Sequence, residues 1–262
     1  MGCDDRDWDP FNRERDQIRW NLRAFFKEQD RKHWNAALAK ARGNRWLLLE
    51  GMPVKPENEL PGLEYEVKLA AETLDQSEFT ERLALSDRYI IGKAGEQKNQ
   101  TVYYYAKEHE SFCIAIERGY RAKKYFAKHK RGLGKEENIF MREEQEAEIE
   151  KDHIVHYVAK AIGAGYQYTG SLEKDVVSRQ VLDTKHGRLF SLDYSVVRAA
   201  EEVRQLEIEY KGCFPFPELA RDRVQLIEDL SMLTKKVKGI YRMNYTEKTK
   251  SEMAHIGILA KL

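Results

Sequence analysis

Three segments of the sequence carry charged residues at every second position. The segments are Glu64-x-Glu66-x-Lys68, Arg142-x-Glu144-x-Glu146 and Glu207-x-Glu209-x-Lys211. Side chains alternate across a β-strand, so each segment would present its carboxylates and its cation on one face. Facing carboxylates repel unless a divalent cation lies between them, and hard cations such as Mg²⁺ prefer oxygen ligands. Together with Lys and Arg, which bind phosphate oxygens, these segments indicate a site for a metal and a polyphosphate.

Each segment taken alone has a simpler explanation. A strand at a protein surface commonly has one solvated face. An E-x-E-x-K pattern arises by chance in roughly one chain in three of this Glu and Lys content. The segment from Arg142 to Ile149 could instead form the first turns of a helix. Three segments that share paired carboxylates beside a cation favour a common location, and the interior of a closed barrel provides one.

Period-two alternation and β-branched or aromatic runs predict the strands that position these residues. The predicted strands cover residues 63–69, 101–105, 112–116, 125–130, 138–146, 175–182, 188–197 and 203–211. Helices are predicted from Ser77 to Ile91, from Lys151 to Ile162 and from Pro215 towards Lys238. Many antiparallel strands with a few inserted helices indicate an α+β fold that is mainly antiparallel β and closes into a barrel.

Residues 1 to about 50 have a helical pattern. Ile18, Leu22 and Phe25 recur at spacings of three and four, which predicts one or two amphipathic helices. Gly43 ends this pattern, and prolines at 53, 56 and 61 follow it. We therefore divide the chain into a helical extension (1–55) and a main domain (56–262). The extension is either a cap packed on the main domain or an arm that binds a partner or a second copy of the chain.

Composition restricts the remaining possibilities. The formal net charge is +1, from 45 basic and 44 acidic residues, which argues against general nucleic-acid binding. Apolar runs such as Trp46 to Leu49 are too short to cross a bilayer, so no membrane association is expected. Cys3, Cys113 and Cys213 follow no metal-ligand spacing. These features predict a reduced, cytoplasmic protein.

The charged segments resemble those of a known family. The sequence Glu64-Tyr65-Glu66-Val67-Lys68 resembles the E-x-E-x-K signature of the CYTH, or triphosphate tunnel metalloenzyme, superfamily. The sequence Arg142-Glu143-Glu144-Gln145-Glu146 is similar to its R-x-E-x-E strand, and Phe190–Asp193 and Leu206–Tyr210 resemble its last barrel strands. The resemblance covers roughly residues 60 to 255. Between residues 92 and 135 the chain departs from the pattern, because Tyr103-Tyr104-Tyr105-Ala106 lacks the family's aspartate.

The resemblance implies an eight-stranded antiparallel tunnel that hydrolyses triphosphates with Mg²⁺ or Mn²⁺, and it implies roles for individual residues. The implied metal ligands are Glu64, Glu66, Glu144, Glu146, Glu207 and Glu209. The implied catalytic residues are Glu144, Glu146 and Lys68. The implied phosphate-binding residues are Lys68, Arg118, Lys128, Lys130, Arg142, Arg179 and Lys250. Asp193 is a further candidate inside the tunnel.

The function predicted on this basis is metal-dependent hydrolysis of a triphosphate, whether inorganic, thiamine or nucleoside triphosphate. One alternative is a class IV-type adenylyl cyclase, which shares the tunnel but directs a ribose hydroxyl at the α-phosphate. A second alternative is a non-catalytic module that binds polyphosphate or nucleotide, with residues 1–50 recruiting a partner.

Overall fold

A computed structural model describes residues 10–58, 60–81, 83–119, 122–216 and 222–259. The strands are β1 (Leu63–Ala70), β2 (Tyr89–Ala94), β3 (Lys98–Lys107), β4 (Glu110–Arg118), β5 (Lys123–Glu136), β6 (Ile139–Ile149), β7 (Gln167–Asp183), β8 (Arg188–Arg198), β9 (Glu202–Cys213) and β10 (Asn244–Tyr245). The helices are α1 (Pro10–Glu28), α2 (Arg31–Lys40), α3 (Trp46–Glu50), α4 (Gln76–Glu81), α5 (Ile154–Gly163), α6 (Arg223–Tyr241) and α7 (Lys250–Leu259).

Eight of the strands form a closed antiparallel barrel in the order β1-β6-β5-β4-β3-β7-β8-β9. The ring closes because β1 pairs with β6 along one edge and with β9 along the other. Two short strands lie outside the ring, where β2 pairs with β7 and β10 pairs with β1. The predicted eight-stranded closed barrel is therefore confirmed.

The alternation of the strands separates an apolar outer layer from a charged interior. On β1 the side chains of Tyr65, Val67 and Leu69 face outward into the largest hydrophobic cluster, which also contains Leu230 and Leu233 of α6. The intervening charged residues of β1 line a central cavity. Burial of the outer layer against α4 and α6 thus fixes which residues point inward.

A buried ion network joins α6 to the barrel wall. Asp229 of α6 accepts hydrogen bonds from Arg88 at 2.7 Å and from the Nδ1 of His186 at 2.8 Å, and it also pairs with Arg188. Arg88 donates in turn to Asp183 at the end of β7. Asp183, His186 and Asp229 have the composition of a metal site. Two guanidinium groups already supply the compensating charge here, so we interpret the cluster as structural.

The N-terminal helices pack on one outer face of the barrel. Phe25 of α1 and Trp34 of α2 contact Phe216, with ring centroids 5.3 and 5.1 Å from that of Phe216. The same hydrophobic cluster includes Leu182 of β7 and Leu189 of β8. The described part of the extension, residues 10–50, thus packs on the barrel in the manner expected of a cap.

Helix α7 fills one end of the barrel. Met253 and Ala254 are buried against inward-facing residues such as Val102, Leu172 and Val197. Gly170 of β7 has a positive φ of 142°, and a Cβ there would lie 2.3 Å from the carbonyl oxygen of Ala254. Because only glycine permits this approach, α7 can lie directly on β7.

Two predicted helices differ from the structure, and a third helix was missed. The helix predicted from Ser77 to Ile91 was wrong in extent, because α4 ends at Glu81 and Tyr89–Ala94 forms the strand β2. The late helix begins at Arg223, with Asp222 as its N-cap. Helix α7 was not predicted at all.

Cys113 and Cys213 are buried, and Cys213 Sγ lies 3.3 Å from the carbonyl oxygen of His186. Cys3 lies outside the described residues. None of the described helices combines the length and the apolar character that crossing a membrane would require.

Candidate functional site

The barrel interior encloses a cavity of about 1560 Å³, which opens to solvent. Its wall includes the inner faces of β1, β5, β6 and β9, the four strands that carry most of its charge. The predicted residues that line it are Glu64, Glu66, Lys68, Lys128, Lys130, Arg142, Glu144, Glu146, Asp193, Glu207, Glu209, Lys211 and Lys250. The structure thus brings thirteen of the fifteen singled-out residues into one space.

Strand pairing sets the neighbours of the β1 charges. Glu64 lies opposite Arg142 of β6, and Glu66 lies opposite Glu209 of β9. Lys68 lies opposite Glu207, again on β9. These cross-strand pairs place carboxylates and cations within reach of each other on neighbouring inner faces.

Three carboxylates converge at one point of the cavity. One oxygen from each of Glu64, Glu144 and Glu209 lies within 4.8 Å of the other two. We call these residues the carboxylate trio. Burial raises the pKa of Glu209 to about 7, with Lys211 opposing the rise and Glu64 adding to it. Three oxygens this close would suit a hard divalent cation, which would relieve their mutual repulsion.

Lys130 of β5 borders the trio. Its Nζ lies 2.9 Å from both carboxylate oxygens of Glu64 and 3.5 Å from Glu144. Burial disfavours the charged ammonium, but Glu64 and Glu144 outweigh burial and hold the pKa of Lys130 well above its ordinary value. A permanent cation therefore lies directly beside the place where a metal would bind.

A second group of charges surrounds Glu66. Arg142 Nη1 lies 2.5 Å from Glu66 Oε1, and Lys68 Nζ lies 3.3 Å from the same oxygen. Glu66 and Lys68 are both almost completely buried. Glu66 holds these two cations inside the barrel, where they can face phosphate oxygens.

Lys250, at the start of α7, reaches into the cavity and pairs with Glu207. Burial disfavours ionised Glu207, but Lys250 and Lys68 outweigh burial, so the pKa of Glu207 lies below its ordinary value. Lys174 of β7 lines the cavity nearby. Burial, aided by Lys250 and Lys128 and opposed by Glu207, lowers the pKa of Lys174 to about 7.

The wall formed by β3 and β4 is largely uncharged. Val102 and Tyr104 of β3 and Cys113 and Ala115 of β4 line the cavity there. This wall lies in the region where the sequence departs from the family pattern. Apart from Lys98, at the first position of β3, the cations of the cavity come from other parts of the chain, including Lys128 of β5, which pairs with Glu146 of β6.

Arg118 and Arg179 do not line the cavity. Arg118 is exposed at the end of β4, with its Nη2 3.9 Å from Glu173. The guanidinium of Arg179 lies outside the barrel and donates to the carbonyl of Thr80 at 2.8 Å and to that of Gly92. Arg179 thus binds the end of α4 to β2 and is not available to a ligand in the tunnel.

Four lysines that the sequence reasoning did not single out also line the cavity, namely Lys98, Lys135, Lys174 and Lys248. A usable signal exists for Lys174. Lys174 lies on the same face of β7 as Val176 and Ser178, because the three alternate at every second position. Arg179 lies on the other face, with the outward-facing Val177 and Val181. The side with fewer large apolar residues is the inner one.

Comparison with solved structures supports the fold. The chain resembles PH1819 from Pyrococcus horikoshii OT3 with a TM-score of 0.50 and 17% identity, covering 76% of this chain and 98% of that one. It resembles HpAC1 from Hippeastrum, a candidate adenylyl cyclase described as having a dominant triphosphatase activity, with a TM-score of 0.45 and 16% identity over 74% and 96% of the chains. For the RNA triphosphatase domain of the mimivirus capping enzyme the TM-score is 0.38 and the identity 8%, over 68% and 90%.

No protein-family model and no curated protein sequence matches the chain. At these identities the structural similarities show the fold alone. The resemblance to the CYTH superfamily is confirmed at that level, because the chain forms the closed eight-stranded antiparallel tunnel that the resemblance implied.

Proposed function

We propose that the protein is a divalent-metal-dependent hydrolase of triphosphates. The observation that carries the proposal is the carboxylate trio beside Lys130, enclosed in the same cavity as Lys68 and Arg142. The clustered carboxylates can bind a metal cation, and the buried Lys and Arg side chains can bind a highly charged anion. A polyphosphate carrying a metal ion satisfies both sets of groups, whereas a neutral metabolite satisfies neither.

In this proposal Glu64, Glu144 and Glu209 hold Mg²⁺ or Mn²⁺. A bound divalent cation would neutralise phosphate charge and polarise the phosphoryl oxygens. Glu66 and Glu207, which the family resemblance also implied as metal ligands, have a different role in this proposal. Glu66 positions Arg142 and Lys68, and Glu207 positions Lys250.

The cations have a separate role. Lys130, Lys68 and Arg142 bind the phosphate oxygens and offset the charge that develops as the terminal phosphoryl group is transferred. One of the two inner-face carboxylates of β6, Glu144 or Glu146, orients the attacking water and accepts its proton. Arg118 and Arg179 have no part in this site.

Product analysis tests the proposal. The full chain is incubated with tripolyphosphate and with ATP, with and without Mg²⁺ or Mn²⁺. Metal-dependent release of orthophosphate is expected. Cyclic AMP with pyrophosphate would identify a cyclase instead, and saturable binding without turnover would identify a binding module.

Two neighbouring glutamates on β6 provide a matched pair of variants. Glu144 points into the cavity, whereas Glu143 is exposed on the other face and lies 3.7 Å from Arg131. Glu144→Gln should lower kcat about a hundredfold or more. Glu143→Gln makes the same chemical change outside the tunnel and should leave turnover unchanged. Equal effects of the two variants would remove β6 from the proposed site.

A further inference from the structure

Phe140 is an unusual residue of the tunnel wall. It lies on the inner face of β6, in line with Arg142 and Glu144, and it lines the cavity. The four hydrophobic clusters found among the described residues do not include it. Tyr104, another ring on the wall, belongs to the cluster covered by α7. Phe140 is therefore a half-buried aromatic ring that lines a charged cavity and lies outside these apolar clusters.

Cations surround this ring without covering it closely. Lys135 Nζ and Arg142 Cζ each lie 5.4 Å from the ring centroid, and Lys68 Nζ lies 5.7 Å from it. By comparison, Lys93 Nζ lies only 3.6 Å from the ring centroid of Trp46, which is close contact. The cations beside Phe140 thus lie in the outer part of the cation–π range and beyond van der Waals contact with the ring. A flat group that stacks on Phe140 requires these flexible side chains to move aside.

The position of Phe140 relative to the trio fits one kind of ligand. Phe140 is four residues from Glu144 along β6, which corresponds to roughly 13 Å of strand. Arg142 lies between them, and Lys68 lies beside Phe140. A triphosphate bound along this row would have its terminal phosphoryl group at the trio and whatever it is esterified to near Phe140.

We infer that Phe140 is a stacking platform for the organic group of the substrate, and that the tunnel takes triphosphate esters carrying a planar aromatic ring in preference to inorganic tripolyphosphate. This inference rests on the proposed function and narrows it. A half-buried ring outside the apolar clusters contributes less to folding than a core ring does, and it has no hydrogen-bond donor for phosphate oxygens. Such a ring can, however, stack on a heteroaromatic group of the substrate and stabilise its binding.

Kinetics of the full chain with three substrates test this role. ATP carries a base, ribose 5-triphosphate carries the sugar alone, and tripolyphosphate carries neither. Phe140→Ala should raise KM for ATP roughly tenfold, in proportion to the stacking lost. Its kcat for ATP, and both constants for the other two substrates, should change less than about twofold. Phe140→Trp should keep or strengthen the preference for ATP, whereas Phe140→Leu, which is apolar but not aromatic, should behave like Phe140→Ala.

The possible results distinguish the stacking role of Phe140 from the proposed hydrolase activity. If wild-type protein hydrolyses all three substrates and Phe140→Ala affects them equally, or affects none, the platform is wrong and the hydrolase stands. If wild-type protein turns over no substrate, the hydrolase is wrong. In that case titration calorimetry tests whether Phe140 is a stacking platform. The platform requires wild-type protein to bind ATP more tightly than ribose 5-triphosphate, and it requires Phe140→Ala to lose this difference. Unfolding temperatures confirm that the variants fold.

Discussion

At the scale of single residues, Lys174 links the charge of the cavity to pH. Burial, together with Lys250 and Lys128, lowers the pKa of Lys174 to about 7, so its amine is mostly neutral at pH 8. A triphosphate in the cavity favours the charged form and should raise this pKa. Binding at pH 8 should therefore take up a proton, and affinity should fall as pH rises above 7. At pH 6 Lys174 is already charged, and its share of the uptake should vanish.

Calorimetric titration with tripolyphosphate, in two buffers of different ionisation enthalpy, measures this uptake. Lys174→Met should remove most of it at pH 8, by comparison with wild-type protein under the same conditions. Lys98→Met makes the same change at another cavity lysine, one that lies 3.5 Å from Glu117, and should retain the uptake. Equal uptake in Lys174→Met and wild-type protein would show that Lys174 does not titrate in this range.

At the scale of elements, Asp229 connects α6 to the turn between β7 and β8. It is the shared acceptor of Arg88, Arg188 and His186, and Arg188 is completely buried. Removing its charge leaves buried guanidinium groups without full compensation. We expect Asp229→Asn to lower the free energy of unfolding by about 3–5 kcal/mol in urea denaturation. Glu228→Gln, at the exposed neighbouring position, should change it by less than about 0.5 kcal/mol.

Elements also explain which features the sequence could predict. Alternation in β1, β6 and β9 predicted the charged inner faces, because an outer apolar layer fixes the parity of a strand. The family resemblance wrongly placed Arg179 in the tunnel, although the strand face that it shares with Val177 and Val181 indicates its outward orientation. Helix α7 could not be predicted, because its place depends on the close approach of Ala254 to Gly170, which is far away in the chain. In the sequence Phe140 is an ordinary strand residue, and only the structure shows that it lines the cavity outside the apolar clusters.

At the scale of the whole molecule, a net charge of +1 conceals a local concentration of charge. Acidic and basic residues together line the tunnel, and several of them pair across strands. The overall charge argues against a general polyanion-binding surface and gives no information about the enclosed site. The apolar outer layer that encloses the site is completed on one side by residues 10–50, so the stability of the barrel should depend on the cap.

The two tryptophans at 20 and 34 test this dependence. Trp34 is 3% exposed and lies between Phe25 and Phe216, so it joins α1 and α2 to the barrel, whereas Trp20 is 63% exposed on α1. Trp34→Ala should lower the free energy of unfolding by about 3–5 kcal/mol, and Trp20→Ala by less than about 0.5 kcal/mol. Hydrogen exchange of the barrel strands distinguishes a cap from an arm. A cap requires Trp34→Ala to reduce protection in β7 and β8, whereas unchanged protection there would show that the helices fold separately from the barrel.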